Sequence, residues 1–352
     1  MKALNQTINS ELIIMAPIQI KPHLSMGNIY DLTIIDFYSK ARRFAGIKTT
    51  LPFLWNINGK PLINQLERLG NKSTPTNIKR FINVSIKTIE SELQDHYLNF
   101  DFTIRDDLIP KELENLASKK YKTTFLVGEV LVNECLSCQN IFGSDPSILV
   151  CKVCGNKTIL QKRKTLFKKI KKLDIQSKIN LIKFFPSSTK TELESFNDKL
   201  PDEYNLILEK KRKNTLEYKG FKLDPRFVAI MLPAILNTSN YKKRVWIHGD
   251  VIKKFDYYSL CYLNKEDCPT HIVSHGVLQG INTQKLRWQN IDSTISLLDE
   301  VDNKIIRAYF LKFNIARDRT FNPQKILQDT KTLIKLYVKI GRTLEERNLD
   351  RN

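Results

Sequence analysis

The sequence predicts an α/β protein built on a split, doubly wound parallel sheet. Three observations carry this. One strand–helix–strand unit lies near the start of the chain and a second lies late in it. A long inserted region with a tight cysteine cluster separates them. Units of this kind bury both faces of a parallel sheet beneath their crossover helices.

The first unit opens at Leu12 to Pro17, LIIMAP, a short apolar run closed by proline that reads as a buried strand. A turn-like stretch follows through Pro22 to Gly27. Ile29 to Ala45 then places Ile29, Leu32, Ile35, Tyr38, Ala41 and Phe44 near helical spacing, and Gly46 is placed to end that helix. Thr49 to Leu54 reads as the next strand. The second unit comprises a strand at Val245 to His248, a helix over Val251 to Leu263 and a strand over His271 to Leu278. Two such units imply a Rossmann-like, nucleotide-binding domain in two halves, 1–71 and 242–295, around a connective region at 72–241. The remainder, 296–352, reads as a helical segment, with one long helix over Pro323 to Glu346.

The connective region holds the pattern Cys135-x2-Cys138-x12-Cys151-x2-Cys154, within about 130–160. A two-residue gap lets both thiolates of a pair reach one ion. Two pairs supply the four-sulfur site of a structural zinc, with no coordination position left for chemistry. Gly155 suits the tight turn of such a knuckle. Cys261 and Cys268 lie far away and read as ordinary residues.

Of 352 residues, 57 are Lys or Arg and 37 are Asp or Glu, a formal net charge of +20. Such an excess attracts polyanions, although AT-rich coding also produces it. The basic run QKRKTLFKKIKKL, Gln161 to Leu173, reads either as a solvated helix face or as a phosphate-contacting surface. No apolar run reaches the 18 or so residues of a membrane span. The segment MKALNQTINS has neither the basic start nor the apolar stretch of a signal peptide. A soluble, cytoplasmic protein without a membrane partner is the expectation.

Pro22 to Asn28, PHLSMGN, occupies the turn between the first strand and first helix. Doubly wound sheets seat nucleotide phosphates there, against a helix N-terminus. Gly27 permits close backbone approach, and His23, Ser25 and Asn28 offer hydrogen bonds. An ordinary strand-to-helix turn is the alternative.

The stretch APIQIKPHLSMGNIYDLTIIDFYSKARRFAG, Ala16 to Gly46, resembles the first signature region of class I aminoacyl-tRNA synthetases. The family's His-x-Gly-His turn appears as Ser25-Met26-Gly27-Asn28. LPFLWNINGKPL, Leu51 to Leu62, is similar to the family's second strand and its Trp-Asp-x-x-Gly-x-Pro segment, with Trp55, Asn56, Gly59 and Pro61 in matching places. Phe102 to Phe142 resembles the approach to the methionyl-type zinc knuckle, with Gly128-Glu129 ahead of the first cysteine pair. Lys164 to Leu173 is similar to the aromatic-basic stretch after it. Thr270 to Ile291 resembles the strand and loop of the second signature. His275-Gly276 matches the dipeptide ahead of it, and the Lys-Met-Ser-Lys-Ser loop appears as Lys285-Leu286-Arg287-Trp288-Gln289. These matches, in this order, make the chain similar to methionyl-type class I synthetases.

The resemblance implies activation of an amino acid by ATP with Mg2+, and transfer to tRNA. It implies catalytic roles for Ser25, Asn28, Lys285 and Arg287, and nucleotide contacts from His23, Gly27, His275 and Gly276. It places the amino acid, with methionine as the family's suggestion, at Trp55 and Asn56. The zinc falls to the four cysteines. The departures are equally specific. Ser25 and Asn28 replace the two signature histidines, the second lysine has no counterpart among Leu286 to Gln289, and Asn56 stands where relatives carry an acid. Each lost donor costs on the order of 10²-fold in rate. The resemblance reaches only the first part of the helical anticodon-binding bundle, which implies impaired or absent anticodon recognition. Two outcomes follow: a ligase that acylates tRNA or another acceptor, or a non-catalytic paralogue that binds tRNA or protein. His96 and His248 read as structural.

Overall fold

The computed structural model describes residues 10–57, 60–121, 124–139, 141–142, 149–151, 154–209, 217–236, 241–249, 253–279, 301–312 and 314–322, with isolated positions beyond. Its first strand, β1 (Ser10–Met15), is buried throughout. Ala16 and Pro17 interrupt it before β2 (Ile18–Gln19). Helix α1 (Met26–Phe44) begins three residues earlier than the apolar spacing indicates, because Ser25 caps it. It ends where expected. Gly46 takes the left-handed conformation, φ +77°, and the Gly46 and Ile47 amides return to the carbonyls of Arg43 and Arg42.

Two strands follow, β3 (Lys48–Thr50) and β4 (Pro52–Asn56), then α2 (Lys60–Arg68), α3 (Pro75–Asp95), β5 (Phe102–Arg105) and α4 (Pro110–Lys119). The long hairpin strand β6 (Leu126–Cys135), short β7 (Ile141–Phe142) and β8 (Thr158–Lys171) come next. After them lie α5 (Lys172–Leu181), β9 (Lys183–Phe185), α6 (Ser188–Asp198), β10 (Glu203–Ile207), β11 (Glu217–Tyr218), β12 (Phe221–Lys222) and α7 (Pro225–Leu236). The last third brings β13 (Lys243–Gly249), α8 (Lys253–Tyr262), β14 (His271–His275), β15 (Leu278–Gln279), α9 (Asn303–Leu311) and β16 (Arg319–Thr320). The long terminal helix expected over Pro323 to Glu346 lies almost wholly outside the described residues.

One parallel sheet has the order β3-β1-β13-β14-β9, and another has β2-β4-β5. They join through the chain, since β1 runs into β2 and β3 into β4. Leu12 faces Thr50 and Ile18 faces Trp55. The first chain segment therefore spends one residue more than its neighbour between those points, a bulge at Ala16–Pro17. Strand order runs outward from β1 to β5 on one side, then returns to β13 and β14 on the other. The reversal between β1 and β13 is the topological switch point.

Side chains on β1 alternate between two cores. Ile13 and Met15 join Val245 and Ile247 beneath α1 and α3. Leu12 and Ile14 join Trp246 and Ile272 beneath α5, α7 and α8. Both faces of the sheet are thus covered, as a parallel sheet requires. Strand β9, from the region read as the insertion, forms an edge of this sheet.

The basic run Gln161 to Leu173 is no helix face. Most of it is strand β8, held to β6 by ten paired positions from Leu126↔Phe167 to Cys135↔Thr158. This long antiparallel pairing outweighs the weak helical preference of Lys and Leu. Lys162 and Lys164 are exposed, whereas Arg163 lies 2.7 Å from Glu134 and 3.4 Å from Glu209.

Helix α9 is keyed onto α1 by a buried ion cluster. Asp36, 1% exposed, accepts from Arg307 and from Lys40 at 2.8 Å. Arg307 Nη1 also donates to the carbonyls of His96 and Tyr97, at 3.0 and 2.8 Å. Arg307→Met leaves the buried Asp36 carboxylate with Lys40 as its remaining cation and removes both carbonyl contacts, and should cost about 2–3 kcal/mol. Urea unfolding measures this directly, and a loss under ~0.5 kcal/mol would remove the cluster from the account of stability. Among the described residues, no helix is long and apolar enough to cross a membrane.

Candidate nucleotide site and metal centre

The switch point gathers residues from the β2–α1 turn, β13 and β14. Ser25 Oγ accepts from the Asn28 amide at 3.3 Å, Asn28 Oδ1 accepts from the Ser25 amide at 3.4 Å, and the two side chains meet at 2.9 Å. This capping box satisfies donors that the helix start otherwise leaves open. Gly27 lies within that first turn, and a Cβ there would meet only Ser25 Oγ, at 3.8 Å. Lys21 Nζ reaches Ser25 Oγ at 3.3 Å. His23 turns outward and contacts Glu92 at 2.7 Å, and the other Glu92 oxygen accepts from the Leu24 amide.

Across the gap, Gly249 ends β13 opposite His275 on β14. A Cβ on Gly249 would lie 3.3 Å from His275 Cε1 and 3.5 Å from Asp31 Oδ1. His275 is buried, edge-on to Tyr30, with Nδ1 against the Gly276 carbonyl at 3.0 Å. Its buried Nε2 has no hydrogen-bond partner among the described residues and sits 3.6 Å from Asp31 Oδ1. His248, the neighbour of Gly249, contacts Asp256 at 2.7 Å. Burial alone would lower its pKa, but Asp256, the Gly249 carbonyl and Asp31 together raise it.

Burial shifts the charges here toward neutrality. It pushes Asp31 up to about 7 against the pull of His248 and Lys21. It pushes Lys21 down to about 8, opposed by Asp31 and Glu92, and His275 down to about 4. Near neutral pH Asp31 and Lys21 therefore both titrate, while His275 is neutral. Asp31 retains 30% side-chain exposure, so a ligand can reach it. A carboxyl raised in the folded state is a stability cost that grows as pH rises from its unfolded value toward its folded one. Asp31→Asn should accordingly raise Tm, by little near pH 4 and by most at pH 7 and above. Equal Tm gains at pH 4.5 and pH 8 would contradict this.

The cysteines form a second, separate centre at the tip of the β6–β8 hairpin. The four Sγ atoms all lie within 4.8 Å of one another, with close contacts of 3.4 to 3.6 Å. Zinc–sulfur bonds of about 2.3 Å in a tetrahedron place sulfurs about 3.8 Å apart, so the cage fits zinc. The Cys138 amide points at Cys135 Sγ at 3.5 Å, and Asn156 Nδ2 at Cys154 Sγ at 3.6 Å. Such donors stabilise thiolate charge. Gly155, φ +77°, makes the turn after the second pair.

No protein-family model and no curated protein matches the sequence. Solved structures do. A Mycobacterium tuberculosis methionyl-tRNA synthetase bound by methionyl-adenylate superposes with TM-score 0.69 at 13% identity, over 92% of this chain and 68% of the other. A second methionyl-adenylate complex gives 0.66 at 13% identity, over 91% and 68%. The apo enzyme gives 0.62 at 13% identity, over 94% and 67%. The chain has the methionyl-tRNA synthetase fold.

Within this methionyl-tRNA synthetase fold, Ser25, Gly27, Asn28 and His275 converge on the switch point. His23 borders it. Gly276 lies one residue beyond β14, where a Cβ would fall 2.0 Å from the Arg317 backbone. Trp55 is 1% exposed, part of the core beside Phe53. Asn56 is buried at the end of β4, its carbonyl accepting from Ile20. Lys285 and Arg287 lie outside the described residues. Sequence reasoning missed Lys21, Asp31 and Gly249. Asp31 follows Gly27 by four residues and Asn28 by three, so helical projection alone sets it on their face. Lys21 and Gly249 carry no comparable signal.

Proposed function

We propose that the chain activates an amino acid with ATP, as methionyl-tRNA synthetases do, and transfers it to tRNA or another acceptor. The observation that carries this reading is the convergence at one switch point of a helix N-terminus with space beside Gly27, Lys21, Asp31 and the unpaired Nε2 of His275. In the proposed step an amino-acid carboxylate oxygen bonds to the α-phosphorus. The bond from that phosphorus to the bridging oxygen breaks, and pyrophosphate leaves; Mg2+ bound with the ATP would supply charge neutralisation there. Negative charge grows on the α-phosphoryl oxygens, where the N-terminus of α1 and a protonated Lys21 stabilise it. An ionised Asp31 offers a counter-charge for an ammonium group. Methionine is the first amino acid to test, because two of the similar structures hold methionyl-adenylate. The four cysteines would hold a structural zinc, and the +20 charge suits a tRNA partner. A cytoplasmic location accords with this reaction.

The test is amino-acid-dependent ATP–pyrophosphate exchange across the twenty amino acids, followed by charging of bulk tRNA. Exchange should occur, strongest with methionine. One observation favours a non-catalytic, tRNA- or protein-binding paralogue instead: Ser25 and Asn28 spend their polar atoms on each other. Absence of exchange with every amino acid would remove the ligase reading. A tRNA gel shift over a salt series would then ask whether the basic surface binds phosphates.

A further inference from the structure

Helix α8 crosses from the C-terminal end of β13 back to the start of β14. Its last turn therefore lies at the opposite end of the sheet from the switch point. The carbonyls of that turn are left over by the helix itself. Two buried lysines take them. Lys168 Nζ donates to the Tyr262 carbonyl at 2.8 Å, and Lys178 Nζ to those of Leu260 and Leu263 at 2.7 and 2.8 Å. These side chains come from different elements, β8 and α5, and the two residues are only 7% and 8% exposed.

A helix C-terminus supplies about half a negative charge, too little to balance two ammonium groups. Three of their six N–H donors go to the carbonyls. Both lysines line a cavity of about 350 Å3, whose mouth adds Lys169 and Lys265. Thr124, Ser177 and Asn264 also line it, but their side chains donate to the carbonyls of Tyr121, Asp174 and Lys120, and Asp174 is its lone lining carboxylate. Asp267, on the neighbouring loop, is already engaged by Lys120 and by Tyr121 Oη. Four lysines against one aspartate leave the lining with an excess of positive charge. The volume lies within the range of small-molecule pockets. Burial and the nearby Lys178 also hold Lys168 down to about 7, a strain that an anion would relieve.

We propose that this cavity binds the phosphate group of a small molecule, at a site separate from the switch point. Clustered ammonium groups suit a compact dianion with several acceptor oxygens.

Calorimetric titration of the full chain with inorganic phosphate, at constant ionic strength, tests the proposal. One saturable site is expected. Lys169→Ala/Lys265→Ala changes two exposed positions and should weaken binding at least tenfold while leaving Tm unchanged. Lys21→Ala, at the switch point, should not alter this binding. Glycerol phosphate forms a second arm: tighter binding than inorganic phosphate identifies a phosphorylated metabolite, and weaker binding identifies a site for the free ion. Either order supports a phosphate site. No saturable binding, equal affinity in the double variant, or loss in Lys21→Ala alone would overturn it.

Discussion

Cys138→Ser is expected to take bound zinc from about one ion per chain to near none, and to dissolve the knuckle. A structural zinc contributes apparent free energies of about 10–16 kcal/mol to small domains that depend on it. The tip of the hairpin has little else to hold it. Its local core is Val130, Val132, Ile141, Phe167 and Ile207, with Leu126 at the edge. A serine hydroxyl is neutral and a poor zinc ligand, so the remaining three sulfurs lose the closed tetrahedron. Hydrogen exchange should show protection collapsing around Cys135–Gln139 and Cys154–Thr158. The paired amides of β1 and β13 should stay protected, because their cores lie on the main sheet. Metal analysis of the purified variant is the direct readout. Retention of a full equivalent of zinc would refute the four-sulfur assignment.

Gly276→Ala, one residue beyond β14, should be strongly destabilising. The added carbon would fall 2.0 Å from the carbonyl carbon and oxygen of Arg317 and 2.4 Å from the Asp318 nitrogen. These are backbone atoms, with no flexible side chain to swing aside. The segment is also clamped on both sides. Gly276 N donates to the Ile315 carbonyl at 2.7 Å, and Arg319 N to the Val277 carbonyl at 2.8 Å. Val277 N donates to Asp318 Oδ1 at 2.8 Å. Relief requires separating β15 from β16. Overpacking in cores costs about 1–3 kcal/mol, and a backbone collision belongs at or above the top of that range. Urea unfolding measures the loss, and pyrophosphate exchange should fall with it because His275 is the adjacent residue. A stability within ~0.5 kcal/mol of the parent would show that 315–318 is free to withdraw.

The sequence disclosed these features unevenly, for physical reasons. Strand β1 and helix α1 were legible because Pro17 and Gly46 punctuate unambiguous apolar patterns. The cysteine cage was legible because thiolate spacing maps directly onto a tetrahedron. Strand β8 was not, since a lysine-rich run suits several local structures and only its partner β6 selects one. Strand β9, three residues long, is too short for any periodicity and exists because β14 offers an edge. At the switch point, Ser25 and Asn28 stood out by position, yet they serve as a helix cap. Asp31 looked like one more polar residue on a helix. Its character comes from burial against Gly249 and His275, more than two hundred residues away.

The order of strands bears on how the protein is made. Glu11 pairs with Lys243, a separation of 232 residues, whereas its other neighbour, Thr49, is 38 away. A ribosome therefore delivers β1, with its fully apolar Leu12-Ile13-Ile14-Met15 run, long before β13 exists to cover it. Throughout that interval the nascent chain carries an unpaired parallel edge, the kind that recruits strands from other chains. Synthesis slower than the encounter with a second nascent copy would favour aggregation. The connective region thus sets a biosynthetic delay, and holdase protection of the first half should govern the yield of folded protein.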